Sequence, residues 1–445
     1  MAVVSTHVQK TLEKYPGLRR IVSNIGWMTF DYLMRATAGV LVGAWVARYL
    51  GPGQYGQLNY AMAIVALLSV LVPLGLDMIV KRELVRTPEA RDVLLGTVFF
   101  LRLGTGILLY LVLFVYSRFI EDATSRWLLV ILGGTVVNLS CSTIDLWFQS
   151  QTLSKYTVWA QNISFGLLTG VRVILILSGM SLLYFAVVVL VEALLDSLFL
   201  AFFYHKRGEV FRRWRFNHKT AKGLLSQSWP LIFSSFAYLV YLKIDLVMIK
   251  MMRGTYEVGI YAAAARISEL FFFIPGALAV SLFPTLVRSK EQEKRVYYNR
   301  IQAYFDLSVA LAYGLSVVMS LATHFVITTL YGRQYEAASQ VLVIHIWSNV
   351  FIFLQYARGG VLVTEDLILF SLISNATGAI VNIVLNIILI PRAGAVGSAI
   401  ATLISYSIAG LWATFFYHKT RHIGMMQLRA LGLTRWITWL GERIR

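Results

Sequence analysis

Charge is scarce in this chain. Only 14% of its 445 residues are Asp, Glu, Lys or Arg, against roughly 25% in soluble globular proteins. Apolar residues supply 58%. A chain this poor in charge and this rich in apolar side chains is an integral membrane protein. Cysteine is nearly absent: Cys141 stands alone, which excludes an internal disulfide, and a lone thiol in an apolar run reads as a small core residue. Carboxylates are the scarcer charge, 22 Asp and Glu against 40 Lys and Arg, for a formal net charge of +18. In a soluble protein that excess would suggest nucleic acid. Here the bias of Lys and Arg towards the cytoplasmic side of membrane helices accounts for it, and no nucleic acid is expected. No G-x-x-x-x-G-K-[ST] loop is present, which argues against ATP hydrolysis, and no H-E-x-x-H. His418 and His422 are four apart but lack a third ligand, so neither a metal nor a cofactor is expected. The first twenty residues are polar and basic without a short apolar core before a small-residue cleavage site. They read as a retained cytoplasmic end, not a signal peptide.

What is present is a series of long apolar runs. A helix needs about 20 mostly apolar residues to cross a bilayer. Such runs fall near 21–47, 57–80, 93–117, 127–149, 156–178 and 182–204, and again near 223–249, 257–287, 301–330, 336–357, 367–390 and 394–417. The pattern predicts an all-α polytopic membrane protein of about twelve transmembrane helices. Five segments are expected: a cytoplasmic N-terminal segment, 1–20; a six-helix lobe, 21–204; a basic cytoplasmic linker, 205–222; a second six-helix lobe, 223–417; and a basic cytoplasmic tail, 418–445. With both termini inside, 28 Lys and Arg fall in inner segments and 7 in outer ones. That asymmetry supports the register and a multi-pass place in the cell membrane, the inner one where there are two. No outer connection is long enough for a soluble catalytic domain, so an enzyme is not expected.

The halves echo one another. "ARYLGPGQYGQLNYAMAIVALLSVLVPLG" (47–75) and "IKMMRGTYEVGIYAAAARISELFFFIPG" (249–276) each hold a Gly-containing turn, a small-residue run and a late proline, Pro73 or Pro275. Parallel repeats about an axis along the membrane normal are a transporter plan, with the substrate path between the halves. Gly and Pro are also frequent in membrane helices generally.

Five basic residues fall inside spans: Arg35, Arg102, Arg172, Lys243 and Arg266. Each costs about 2.5–3.5 kcal/mol at full depth on insertion scales, so they are expected to face protein or water. Snorkelling is open to Arg102 and Arg172, and is poor for Arg35 and Arg266. Asp31 and Arg35 are four apart, and Arg266 and Glu269 three apart, so each pair shares a helix face. These pairs are either simple neutralisation or carboxylates whose state controls a cation. Asp31, Asp245 and Glu269 are the candidate coupling carboxylates, with H+ or Na+ as the ion. Asp77, beside Lys81, reads as a cap of its span. His324 and His345 lie in spans, where packing is the simpler role.

Six segments, in order along nearly the whole chain, carry a family resemblance: "ARYLGPGQYGQLNYAMA" (47–63), "YLKIDLVMIK" (241–250), "VGIYAAAARISEL" (258–270), "FPTLV" (283–287), "LYGRQYEAASQVLVI" (330–344) and "PRAGAVGSAIATLISY" (391–406). They resemble the Wzx-type polysaccharide flippases of the multidrug/oligosaccharidyl-lipid/polysaccharide exporter superfamily. The resemblance implies two pseudo-symmetric six-helix lobes around a central cationic cavity. It implies movement of undecaprenyl-pyrophosphate-linked oligosaccharide from the inner to the outer leaflet by alternating access, for polysaccharide biosynthesis. It implies as partners the lipid-linked oligosaccharide and bilayer, with a polysaccharide polymerase and chain-length machinery. The arginine of "AAAARISEL" is similar to a cavity-lining arginine of the related peptidoglycan-precursor flippases, and maps onto Arg266 with Glu269 beside it. The basic–Ile–Asp pattern of span seven maps onto Lys243 and Asp245. The first span departs from the pattern in pairing Arg35 with Asp31. Arg35, Arg266, Lys243, Arg102 and Arg172 are thus the expected cavity-lining cations for pyrophosphate or anionic glycan, because arginine binds phosphate oxygens in a bidentate way.

Two other readings stand beside this one. A drug/cation antiporter of the same superfamily should have a carboxylate- and aromatic-rich cavity, and five intramembrane cations argue against it. A membrane-embedded glycan polymerase or ligase should carry a long outer loop with catalytic residues, which is missing here.

Overall fold

The computed structural model describes residues 16–290 and 293–432, with side chains of 16–37 and 368 outside the description. Among the described residues every regular element is helical. Among the described residues nine helices are long and apolar enough to cross a membrane. One of these, Leu369–Phe416, bends at Gly394 and holds two passes. The first helix, α1 (Pro16–Ser69), bends at Gly51 and supplies two more. Twelve passes result, as the hydropathy predicts.

Each bend is a sequence event. Gly51 (φ 72°), Gly254 (φ 89°), Gly332 (φ 87°) and Gly394 (φ 55°) all sit in left-handed backbone at tips between passes, where a residue without Cβ is unstrained. Proline marks a second kind of break. α1 ends at Ser69, passes through a turn containing Pro73, Leu74 (φ 55°) and Gly75 (φ 63°), and resumes as α2 (Asp77–Arg86). In the other half, α9 (Thr255–Leu270) stops before Pro275 and α10 (Phe273–Lys290) takes over. A proline lacks the N–H that would continue the ladder, so it suits such a restart. The remaining helices are α3 (Arg91–Ser117), α4 (Ala123–Asn138), α5 (Thr143–Ser150), α6 (Lys155–Leu177), α7 (Leu182–Lys206), α8 (His218–Arg253), α11 (Lys294–Tyr331), α12 (Ala338–His345), α13 (Ser348–Thr364), α14 (Ile368–Ser407), α15 (Ala413–Phe416) and α16 (Arg421–Leu431). Positive φ recurs at matching turns too, Thr152 after α5 and Asp366 after α13.

The chain forms two compact units, residues 1–42 with 64–236, and residues 43–63 with 237–445. The boundary thus differs from the linker at 205–222. α8 is one continuous helix whose first half belongs to the first unit, and the tip 43–63 belongs to the second.

In the first unit, Leu76, Val80, Leu95, Val98, Phe148 and Tyr204 build the main core. The linker is laid against it: Trp214 Nε1 donates to Tyr204 Oη (3.1 Å), Asn217 N donates to Thr97 Oγ1 (3.1 Å), and Arg91 pairs with Glu209 (2.7 Å). In the second unit, Tyr297, Ile301, Phe305, Leu354, Val361, Ile423 and Met426 form one core. α16 joins it through Ile423, Met426, Gln427 and Ala430, a buried stripe at helical spacing. Part of the expected basic tail is therefore a docked amphipathic helix. Within this unit the tips of the two repeats meet reciprocally. A methyl group at Gly56 would lie 1.8 Å from the Thr255 carbonyl oxygen, and one at Gly259 2.0 Å from that of Pro52.

Candidate functional site

The second unit gathers most of the predicted residues that the structure describes. Lys243, on α8, points its ammonium between both oxygens of Glu269 on α9, at 3.1 and 3.0 Å. Both side chains remain about a quarter exposed, 28% and 24%. The expected partnership of Arg266 with Glu269 is replaced by this one. A spacing of three places two residues on one helix face, but the ammonium from the neighbouring helix reaches both carboxylate oxygens and takes them. Arg266 is left exposed, with no carboxylate within salt-bridge distance among the described residues. It lies within electrostatic reach of Tyr55 and Tyr331.

Asp245 does not share this surface. Two positions on from Lys243, it faces the far side of α8, because successive helix residues turn by about 100°. It is 2% exposed. Its oxygens accept from Tyr261 Oη (2.6 Å), Thr402 Oγ1 (2.8 Å) and Asn386 Nδ2 (2.6 Å). Asn386 Nδ2 also donates to Asn382 Oδ1 at 2.9 Å, and Asn386 Oδ1 is buried without a partner among the described residues. No cation reaches this carboxylate within 4.0 Å among the described residues, so the expected control of Lys243 by Asp245 has no geometric basis. His345 packs edge-on to Tyr261, ring centroids 5.7 Å apart, with Nδ1 unpartnered among the described residues.

The first unit holds the other two expected cavity cations that the structure describes, and each has a carboxylate. Arg102 is 1% exposed. It donates to Asp77 Oδ1 (2.5 Å) and Ser142 Oγ (2.8 Å). Asp77 is therefore the counter-ion of Arg102, and Lys81 turns instead to Gln149 Oε1 at 3.1 Å. Burial this complete removes Arg102 from the set that a soluble anion can reach. Arg172 pairs with Glu192 across α6 and α7. The side chains of Asp31 and Arg35 lie outside the described residues.

Sequence reading missed Arg358, which it placed in an inner turn. Arg358 is 1% exposed, in α13. It donates to the carbonyls of Ala409 (2.9 Å) and Gly410 (3.3 Å) and to Ser374 Oγ (3.0 Å), with its guanidinium 5.3 Å from the Phe370 ring. Ala409 and Gly410 lie in a π-helical turn, 408–412, where the widened ladder turns carbonyls away from their usual donors. The signal available was an arginine flanked on both sides by apolar residues, "FIFLQYARGGVLV".

Helical passes bent at glycine tips, broken second and eighth passes and an intramembrane arginine without a carboxylate partner among the described residues define a polytopic membrane protein of transporter-like architecture. The chain belongs to the family described as "Polysaccharide biosynthesis protein", whose model matches residues 21–290; a MatE model also matches, over 230–388. One similar curated protein is "Probable flippase AglR" of Haloferax volcanii, 29% identical over 181 residues, which are 39% of this chain and 37% of that protein. The chain thus aligns with under two fifths of that relative's length. Among solved structures, "Lipid II flippase MurJ, inward closed conformation" is similar with a TM-score of 0.69 at 13% identity, covering 94% of this chain and 93% of that one. An inward-facing "multidrug resistance MATE family transporter of the MOP superfamily" reaches 0.68 at 14% identity, covering 90% and 99%. The fold is the twelve-helix, two-lobed fold of these transporters.

Proposed function

We propose that this chain is a transporter, not an enzyme, that moves undecaprenyl-pyrophosphate-linked oligosaccharide from the inner to the outer leaflet of the cell membrane. The observation that carries the reading is Arg266, an exposed guanidinium without a carboxylate among the described residues, set in an apolar helix beside the Lys243–Glu269 pair. A planar guanidinium offers two parallel donors to phosphate oxygens, and low-dielectric walls strengthen the attraction. Membership of a polysaccharide biosynthesis family and similarity to a protein named as a probable flippase support the same substrate class. The termini would lie in the cytoplasm, and a glycan polymerase with its chain-length machinery would consume the product.

In reconstituted vesicles with a labelled lipid-linked oligosaccharide, Arg266→Ala should reduce flipping at least tenfold at normal protein abundance. Arg266→Lys should restore part of the rate, since a point charge lacks the fork. Full activity of the Ala variant would sink the assignment.

Asp245 is the proposed coupling carboxylate for H+ or Na+. Its oxygens are set among Tyr261, Thr402 and Asn386, groups that can rearrange around a proton or a small cation. The match of the MatE model to 230–388 favours one alternative, a cation-coupled drug antiporter. Uptake of an organic cation by the same vesicles, with no movement of the lipid-linked sugar, would select it.

A further inference from the structure

The second unit contains a second cationic feature, away from the Lys243–Glu269 pair. A cavity of about 640 Å³ is lined by Arg48, Thr328, Thr329, Gly332, Arg333 and Gln334. It brings together the tip of the first helical hairpin and the turn after α11, both in that unit. The two pieces are tied at the backbone: Gln334 Nε2 donates to Arg48 O (2.6 Å) and Tyr335 Oη donates to Ala47 O (2.9 Å). Gly332 lies beneath the Arg48 arm, where a methyl group would stand 3.4 Å from Arg48 Nε. Both arginines are exposed, and among the described residues neither has a carboxylate within 4.0 Å. The acid nearest in sequence, Glu336, is outside the lining and faces His324 at 4.0 Å.

The charge count gives this convergence weight. Outer segments of the chain hold only 7 Lys and Arg, and two of them share this cavity. Two guanidinium groups, the Thr329 hydroxyl and no carboxylate make a lining for a phosphate-type anion, while the Thr328 hydroxyl donates to the His324 carbonyl at 2.7 Å. The volume is within the usual range for a small-molecule pocket. A layer of tyrosines links it to Arg266. Tyr335 packs on Tyr55 (centroids 6.2 Å apart) and on Tyr331 (5.4 Å), and those two rings lie within electrostatic reach of Arg266.

We propose that the Arg48–Arg333 cavity is a second phosphate-binding site, which takes the pyrophosphate head of the substrate at the outer end of its path after Arg266. The assignment rests on the flippase reading above. The ligand chemistry is an esterified phosphate anion, either the pyrophosphate diester of a substrate head or the phosphodiester of a membrane phospholipid.

The test uses the purified full-length chain in nanodiscs of phosphatidylcholine, with inorganic pyrophosphate as probe in titration calorimetry. An Arg266→Gln background isolates the second site. Pyrophosphate should still bind there, and adding Arg48→Gln and Arg333→Gln should weaken that binding at least tenfold, while Arg48→Lys with Arg333→Lys retains part of it. No binding in the Arg266→Gln protein, or undiminished binding after both further changes, overturns the site. The source is decided in vesicles carrying wild-type Arg266. There Arg48→Gln with Arg333→Gln should slow appearance of labelled lipid-linked sugar outside several-fold. An unchanged rate, together with displacement of pyrophosphate by phosphatidylglycerol in the nanodiscs, would assign the cavity to bulk lipid and overturn its role with substrate. If the wild-type chain moves no lipid-linked sugar but pyrophosphate binding follows Arg48 and Arg333, the flippase reading fails and takes the exit role with it, while the anion site stands.

Discussion

At the scale of the residue, the charged side chains buried in this protein divide by what satisfies them. Arg102 has a carboxylate and a hydroxyl, whereas Arg358 has two carbonyls, a hydroxyl and an aromatic face, and no carboxylate within salt-bridge distance among the described residues. The second arrangement ties α13 to the π-helical turn of the last pass. Removing the guanidinium takes the side-chain donor from the Ala409 carbonyl and leaves the Gly410 carbonyl to Gln427 Nε2 (3.0 Å), a loss on the order of 3 kcal/mol for hydrogen bonds to a charged group. Arg358→Ala should therefore lower the thermal unfolding temperature by several degrees, and Arg358→Lys should recover less than half of the drop. Equal stability of all three proteins would show that the carbonyls find other partners. Asp245→Asn bears on coupling. An amide keeps one acceptor oxygen but turns an N–H2 group towards the donors now supplied by Asn386 or by Tyr261 and Thr402. Flipping rates measured with and without an imposed pH or sodium gradient should differ in the wild type and become equal in this variant. A gradient response that survives would make Asp245 a structural group.

At the scale of the element, the controlling features are breaks. The second pass of each repeat is interrupted near a proline, and each repeat bends at a glycine tip. The reciprocal approach of Gly56 to Thr255 and of Gly259 to Pro52 follows from that likeness, since a two-fold relation repeats any contact made off its axis. Backbone lies where each Cβ would go, so the neighbour cannot yield as a flexible side chain would. Gly56→Ala and Gly259→Ala should each destabilise the protein by about 1–3 kcal/mol, the usual cost of overpacking. Gly53, three residues away and with nothing within 4 Å of its Cβ position, supplies the control. Gly53→Ala should leave the unfolding midpoint within a degree or so of the wild type. Comparable loss in all three variants would point to backbone entropy or helix bending instead of contact at the tips.

At the scale of the whole molecule, the distribution of Lys and Arg predicts the orientation. A reporter fused after residue 210 should be cytoplasmic, and one fused near Gly254 should be external. The opposite result would reverse the membrane register and move the Arg48–Arg333 cavity to the inner face. The compact units do not divide at the basic linker, because α8 runs unbroken from His218 to Arg253 and its two halves pack in different units. Cutting the chain at residues 205–217 should for that reason leave the first unit lacking its packing against Ser228 and Leu231, which lie against Gly75. Co-expressed fragments split after Gly208 should re-associate and flip substrate better than fragments split after Phe236.

The sequence by itself determined the pass count, the helix breaks and the repeat, because hydropathy, glycine and proline act over a few residues and need no distant partner. It also named Arg266, Lys243, Asp245 and Glu269 as residues whose charge requires explanation. Only the tertiary structure decided who pairs with whom. Helical spacing puts Glu269 on one face with Arg266, but Lys243 arrives from another helix and reaches both of its oxygens. Asp77 sits beside Lys81 in the sequence and binds Arg102, 25 positions away. Arg358 was assigned to a turn because its arginine borders an inner connection, and its burial depends on carbonyls about 50 positions away. Local spacing fixes the face a side chain presents. The identity of its partner depends on separation across neighbouring helices, and because the attraction between charges falls with distance, a few ångströms of packing decide which cation a carboxylate holds.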